Sequence, residues 1–279
     1  MSKTPKPEFA RFCRVLGRTR LLFRSLAQRQ RRQNFDVRWA SVERGGGACH
    51  CTGPEKLGSN DLRVLLAVMA LGHGKQRRLS ANPKTKEGKR LRAALRVGLD
   101  AVDDDGAVVA VSFRAIATVA NYKDPDCTAR IKECLERLSN VVVEHHDPEG
   151  KAGQYRMLAF VQDDAGRLSI ALNPLLNQVL TGGQFMLIDM REFSKLEGDL
   201  EFLLHFALCA SIDAGKSLTI NRNTLAGYIW TPGAGREALK KRLQRLEAPI
   251  DKLRSIGWRI DEVSSASDKR AYKIHRPGG

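Results

Sequence analysis

SFRAIATVANYKDPDCTARIKECLERLSNVVVEHH, residues 112–146, reads as helix, turn, helix and strand in a single line. Ser112 stands where an N-cap belongs, and Phe113, Ile116, Ala117 and Ala120 follow at helical spacing. NYKDPD is a polar turn, and in ARIKECLERL (129–138) Ile131, Leu135 and Leu138 make one apolar stripe. NVVVEHH has strand character, DPEGKAG is a turn and QYRMLAFV a return strand. The same order recurs at an offset of 108 residues. NRNTLAGYIW (221–230) is a capped short helix, TPGAG a turn, and REALKKRLQRL (236–246) a second helix whose Leu239, Leu243 and Leu246 match Ile131, Leu135 and Leu138. PIDKLRSIG adds a helix running from Pro249 to Gly257, and WRIDEV, SSASDK and RAYKIHR form a hairpin. Helix, turn, helix and β-hairpin, twice over, predicts an α+β chain of two tandem winged-helix domains.

Around these units the pattern predicts a strand over Phe35–Val42 and a buried helix over SNDLRVLLAVMALG (59–72), capped by Ser59 or Asn60 and closed by Gly72. GRLSIALNPLLNQVLTGG supplies a strand and a short helix, and EGDLEFLLHFALCASID (197–213) a second buried helix. The expected division is a flexible basic tail over 1–34, a first domain over 35–182 and a second over 183–279, with the break at Gly182-Gly183.

The chain has 279 residues, 42% of them hydrophobic, a net charge of +16 and a pI near 9.9, which favours a polyanionic partner. The charge is segregated. Residues 1–32 carry ten Lys/Arg against Glu8, and residues 75–97 carry nine against Glu87. Residues 98–235 are net acidic, whereas residues 236–276 hold twelve basic against six acidic residues. Segregation of this kind points to binding surfaces.

On REALKKRLQRL the leucine stripe leaves Lys241, Gln244 and Arg245 facing away, with Lys240 on the flank. Solvated helix faces usually mix signs at i, i+4; here only Glu237 and Glu247 interrupt the cations. Lys and Arg neutralise phosphates, while Arg, Lys and Gln reach the edges of guanine and adenine in the major groove. The expected DNA-binding residues are therefore Arg236, Lys240, Lys241, Gln244 and Arg245 on the second helix, Lys269 and Arg270 on its hairpin, and Lys84, Lys86, Lys89 and Arg90 in the second basic block. In the first unit the matching outward face carries Glu133, Glu136 and Arg137, so base reading is assigned to the second unit.

Catalytic signatures are incomplete. DAGKSLTI (213–220) has Ala210 where a phosphate-binding loop needs glycine, and leads into a strand. His145 and His146 are adjacent and would point to opposite faces of a strand, unlike spaced metal-binding histidines. Asp103-Asp104-Asp105 before Gly106 reads as a turn. Cys49-His50-Cys51 has neither CxxC spacing nor a second ligand pair for zinc, and the six cysteines read as reduced thiols. No catalytic residue, metal or cofactor is expected. Apolar runs fall short of the roughly 18–20 residues a membrane span needs, and the basic N-terminus has no apolar signal core, so a cytoplasmic location is expected.

GPEKLGSNDLRVL (53–65), KTKEGKRLR (84–92), GRLSIALNPLL (166–176) and TLAGYIW (224–230) resemble the RepC replication initiators of IncQ-type plasmids, with similarity from about Leu22 to Arg276. The resemblance implies recognition of directly repeated duplex sequences, iterons, at a plasmid origin, help in opening an adjacent AT-rich segment, and entry of a plasmid-encoded helicase and primase. It also implies tandem winged-helix modules and monomer–dimer exchange, hence a possible homodimer. The competing classes are a winged-helix transcriptional repressor and an RNA-binding protein. Aromatic content of 6%, with no stacking pattern on any strand, argues against the latter.

Overall fold

The computed structural model describes residues 7–26, 33–40, 47–124, 127–231, 233, 235–265 and 268–278, with the side chains of 265, 268 and 269 left aside. The chain begins with β1 (Phe9–Cys13) and α1 (Arg14–Arg18), then β2 (Phe35–Ala40), β3 (Ala48–Gly53) and α2 (Ser59–Gly72). There follow β4 (Arg77–Leu79), α3 (Lys86–Leu95), β5 (Gly98–Leu99), a 3-10 turn at Asp100–Asp103 and β6 (Gly106–Val111). α4 (Phe113–Val119), α5 (Thr128–Ser139), β7 (Val142–His146), β8 (Ala152–Arg156), β9 (Leu158–Gln162), β10 (Leu168–Leu172) and α6 (Pro174–Thr181) come next. The last third holds β11 (Phe185–Asp189), α7 (Met190–Phe193), α8 (Asp199–Ser211), β12 (Ser217–Asn221), α9 (Arg222–Ile229), α10 (Arg236–Arg245), α11 (Glu247–Ser255), β13 (Arg259–Ser265) and β14 (Asp268–His275). The architecture is mixed α+β.

Four sheets organise these elements, in the orders β1-β11, β2-β3-β7-β8-β5, β4-β6-β10-β9 and β12-β14-β13. α4 and α5 pack on α2 and lead into the β7–β8 hairpin; α9 and α11 pack on α8 and lead into the β13–β14 hairpin. Local chemistry fixes the short helices. Ser112 accepts from Ala115 N at 3.2 Å to start α4, and Asn221 accepts from Thr224 N at 2.7 Å to start α9. The cap of α2 is Gly58, one residue before the expected Ser59 or Asn60, with Asp61 accepting from Gly58 N at 2.7 Å.

QYRMLAFV is two strands, where the sequence suggested one. Met157, fully buried, separates β8 in the five-stranded sheet from β9 in the four-stranded one, and its N–H donates to Val141 O at 2.9 Å. An apolar run suits either sheet, so its composition conceals the crossing.

The N-terminal segment departs from the flexible tail expected over 1–34. Residues 1–6 and 27–32 lie outside the described residues, but Phe9–Cys13 pairs antiparallel with Phe185–Asp189 in full register. Phe12 and Leu16 are completely buried. Arg24 N donates to Leu57 O at 3.1 Å and Ser25 N to Ile229 O at 2.8 Å, so the segment runs between the two units. Its described arginines make internal contacts. Arg14 bonds Asp213 at 2.5 Å, Arg18 bonds Ala210 O, Arg20 sits over Tyr228, Arg11 sits over Phe185, and Arg24 reaches Thr231. Apolar burial dominates the docking, since each buried Phe or Leu contributes about 1.5–3 kcal/mol against roughly 0–1 for an exposed ion pair.

The break expected at Gly182-Gly183 is not a break in the core. Gly182 does stop α6 in the left-handed region (φ +120°), where glycine fits best. Yet Phe206 of α8 packs edge-on against Phe12 and Phe23, and Ser59 Oγ donates to Asp199 Oδ1 at 2.6 Å. One hydrophobic core runs from β1 through α2 to α8 and Trp258.

Candidate nucleic-acid interface

α10 is the basic helix the leucine spacing predicts, but it rests lightly on the body. Leu239 and Leu243 are only half-buried, and none of its own ten residues is fully buried; Leu246, just past its end, is the first that is. Its packing partners are α9 and α11, whereas α5 places Ile131, Cys134, Leu135 and Leu138 directly in the core. The element packed in the core as α5 is, and leading straight into the hairpin, is therefore α11, with α10 preceding it as an outward extension. The two are divided at Leu246, three residues before Pro249, which has no N–H to return to the Arg245 carbonyl.

Polar pins compensate for the thin apolar contact. Arg222 donates to Leu243 O at 2.8 Å and also bonds Glu247, whose carboxylate accepts from Tyr272 OH at 3.2 Å. Arg242 Nη1 donates to Thr231 O at 2.8 Å. Arg222, Arg242 and Glu247 hold α10 in place, and sequence reasoning missed them because their contacts join separate elements.

Arg236, Lys240, Lys241, Gln244 and Arg245 are all exposed, and none has a hydrogen-bond or ion-pair partner among the described residues. They form two neighbouring i, i+4 rows, Arg236–Lys240–Gln244 and Lys241–Arg245, about 6 Å between successive members of a row. Unpaired cations spend no energy on internal partners and are free for phosphates or base edges. α11 breaks the run of positive charge: Arg254 donates to Asp251 at 2.7 Å.

On the hairpin, Arg270 lies 3.4 Å from Glu262, which partly neutralises it, while the side chain of Lys269 and the hairpin tip at 266–267 lie outside the described residues. Lys273, not anticipated, is exposed on β14 without a partner among the described residues. The second basic block is held on α3. Thr85 accepts from Gly88 N at 3.0 Å, and Leu91 and Leu95 bury against Leu79, Val108, Ala159 and Ala171 in a small second core. That leaves Lys84, Lys86, Lys89 and Arg90 exposed, and unpaired among the described residues.

The first unit presents the opposite charge. Glu133 and Glu136 are exposed on α5, but Arg137, expected beside them, turns inward to the fully buried Asp61 at 2.9 Å.

The remaining motif residues take separate places. Cys49 and Cys51 face the core with their sulfurs 3.6 Å apart, and His50 faces out toward Asp36 at 3.0 Å. His145 and His146 lie on opposite faces of β7. Asp104 meets Lys151 at 2.9 Å and Asp105 meets Arg78. Gly215 makes a tight turn (φ +72°) before β12. Among the described residues, no group of three or more His, Cys, Asp or Glu is placed to hold a metal ion, and no helix is long and apolar enough to cross a membrane.

No curated protein matches the chain. The family model described as Replication protein C (RepC) matches residues 11–278, almost the whole length. With a family model matching nearly its whole length, the chain belongs to the RepC family of plasmid replication proteins.

Proposed function

We propose that this chain is a replication initiator of the IncQ plasmid type, binding directly repeated origin sequences as duplex DNA through two winged-helix units. The observation that carries the reading is the exposed, unpaired basic and amide face of α10, on the unit that ends in the β13–β14 hairpin. α10 enters the major groove and reads bases; Lys273, Lys269 and Arg270 follow the flanking backbone. Lys84, just ahead of α3, and the α3 cations Lys86, Lys89 and Arg90 add phosphate contacts from the first unit. The acidic α5 face is kept for protein contacts, with a plasmid-encoded helicase and primase or with a second copy. The chain itself does no chemistry: it binds, helps to open the adjacent AT-rich segment and admits the replication enzymes from within the cytoplasm.

A mobility-shift titration against duplex from the parent plasmid origin tests this. With six to ten phosphates contacted, log K falls with log[salt] at a slope of roughly −5 to −9. A slope near zero, or equal affinity for random duplex, refutes it; tighter binding to RNA favours an RNA-binding protein, and specific binding confined to a promoter favours a repressor. ATP hydrolysis or Mg²⁺-dependent nicking that disappears on a point mutation refutes the non-enzymatic part.

A further inference from the structure

Cys49-His50-Cys51 is the motif that the proposed function leaves unused. β3 is extended, so His50 turns out to Asp36 while both cysteines turn into the core as buried free thiols. Their sulfurs lie 3.6 Å apart. In the register of the sheet Val37 and Val143 stand beside Cys51, and Trp39 stands beside Cys49. A disulfide does not suit this pair. Two residues on one face of a strand are about 6.6 Å apart at Cα, and near-parallel Cα–Cβ bonds keep the Cβ atoms beyond the roughly 3.5–4.5 Å a disulfide allows. The sulfurs lean together across a gap that closes directly only if β3 bends.

A single atom between them closes it without bending. With metal–sulfur bonds of about 2.3 Å, sulfurs 3.6 Å apart bracket one ion at roughly 100°, and rotation of either side chain widens that angle. Thiolates select Cu(I), zinc or an iron–sulfur cluster. Structural zinc and the clusters ask for four ligands, whereas no group of three or more His, Cys, Asp or Glu among the described residues is placed to hold a metal. Cu(I) is satisfied by two thiolates. We propose that Cys49 and Cys51 form a two-thiolate site for Cu(I), one ion per chain. Binding forms two Cu–S bonds and releases both thiol protons to solvent, with copper and sulfur unchanged in oxidation state. A hydrogen bond from Cys51 holds the Cys49 thiol below its usual range against burial, with help from Thr19. Thr19 and Trp39 also line a cavity of about 270 Å³, which supplies the way in and brings the ion to Cys49 first.

Anaerobic titration of the reduced full chain with Cu(I), held against a chelating dye, tests the site; DNA is left out, so the result is independent of the function proposed above. The wild-type chain should take up one ion, and X-ray absorption of the loaded chain should show sulfur neighbours only. Cys49→Ala and Cys51→Ala should each weaken uptake by at least about a hundredfold, beyond the roughly 10–100-fold that loss of an outer supporting contact costs. Val37→Ala removes packing beside the pair but keeps both thiols, and should leave uptake unchanged, as should Cys127→Ala and Cys209→Ala. No uptake by the wild type, nitrogen or oxygen neighbours around the copper, full uptake by Cys49→Ala or Cys51→Ala, or loss of uptake in Val37→Ala overturns the proposal.

Discussion

Arg137 Nε donates to Asp61 Oδ1 at 2.9 Å, with the carboxylate wholly out of solvent and the guanidinium nearly so. The other carboxylate oxygen accepts from Gly58 N, so one residue caps α2 and anchors α5.

Removing Asp61 takes away the buried partner of Arg137, leaving it only Glu133 at 3.6 Å as a carboxylate partner, and also uncaps Gly58 N. Asp61→Ala should lower stability by about 3–5 kcal/mol, read as a shift in the urea midpoint. The double variant Asp61→Asn, Arg137→Met should lose much less than the sum of its parts. Strict additivity would show that the two groups do not depend on each other.

The two helices can be compared by alanine substitution. Lys241→Ala and Arg245→Ala should each cost about 1–3 kcal/mol of binding to origin duplex and relax sequence preference. Glu133→Ala and Glu136→Ala should bind as wild type or slightly tighter, because each removes a like charge from the approach to DNA. Loss of specificity in the glutamate variants, with Lys241→Ala and Arg245→Ala unaffected, would reverse the assignment of units.

α3 should behave differently from α10. Lys86→Ala and Lys89→Ala should weaken specific and random duplex alike, and each should make the salt slope shallower by about one, the share of a single neutralised phosphate. An unchanged slope in both would remove α3 from the interface.

Stability should depend on pH through a buried pair at the join between α7, α8 and Trp258. His205 Nε2 lies 2.9 Å from Glu192 Oε2, to which Trp258 Nε1 also donates at 3.0 Å. Burial pushes the His205 imidazole down, but contacts with Cys209 and Glu192 outweigh it and raise the pKa from 6.5 to about 9. Glu192 is held below its usual 4.5: burial opposes this, and bonding to His205 prevails. The histidine contribution is complete below pH 6.5 and is lost as pH climbs through about 9; the glutamate contribution is complete above 4.5 and fades in acid. The thermal midpoint should therefore be highest between pH 4.5 and 6.5 and fall toward 9, and His205→Gln should lower the plateau and flatten the alkaline decline. A wild-type midpoint rising from pH 6.5 to 9 would contradict the assignment.

The paired helices and their hairpins were legible because their determinants are local: a capping side chain at Ser112 or Asn221, a leucine every three or four residues, a glycine at the stop. The exposure of Lys241, Gln244 and Arg245 followed from the same spacing. What escaped depends on residues far apart in the chain. Phe9–Cys13 holds Arg11 among four apolar residues within an arginine-rich stretch, and only its partner near Asp189 distinguishes a strand from a charged tail. Arg137 has the helical phase of a surface residue, yet the length of its side chain lets it reach Asp61. Leucine periodicity likewise gave α10 and α5 the same apolar stripe, while the depth of each depends on what lies beneath it.

The pairing of β1 with β11 sets an order of events during synthesis. Phe9–Cys13 leaves the ribosome about 170 residues ahead of the strand it pairs with. At about 5–20 residues per second that interval lasts roughly ten to thirty seconds. Through it the nascent strand carries Phe12 and an unpaired backbone edge, the features that invite pairing with the wrong neighbour. Arginine at positions 11 and 14 gives the waiting segment charge and solubility until Phe185–Asp189 emerges. Chains truncated before Asp189 leave Phe9–Cys13 without its partner strand and should be the aggregation-prone products of interrupted translation.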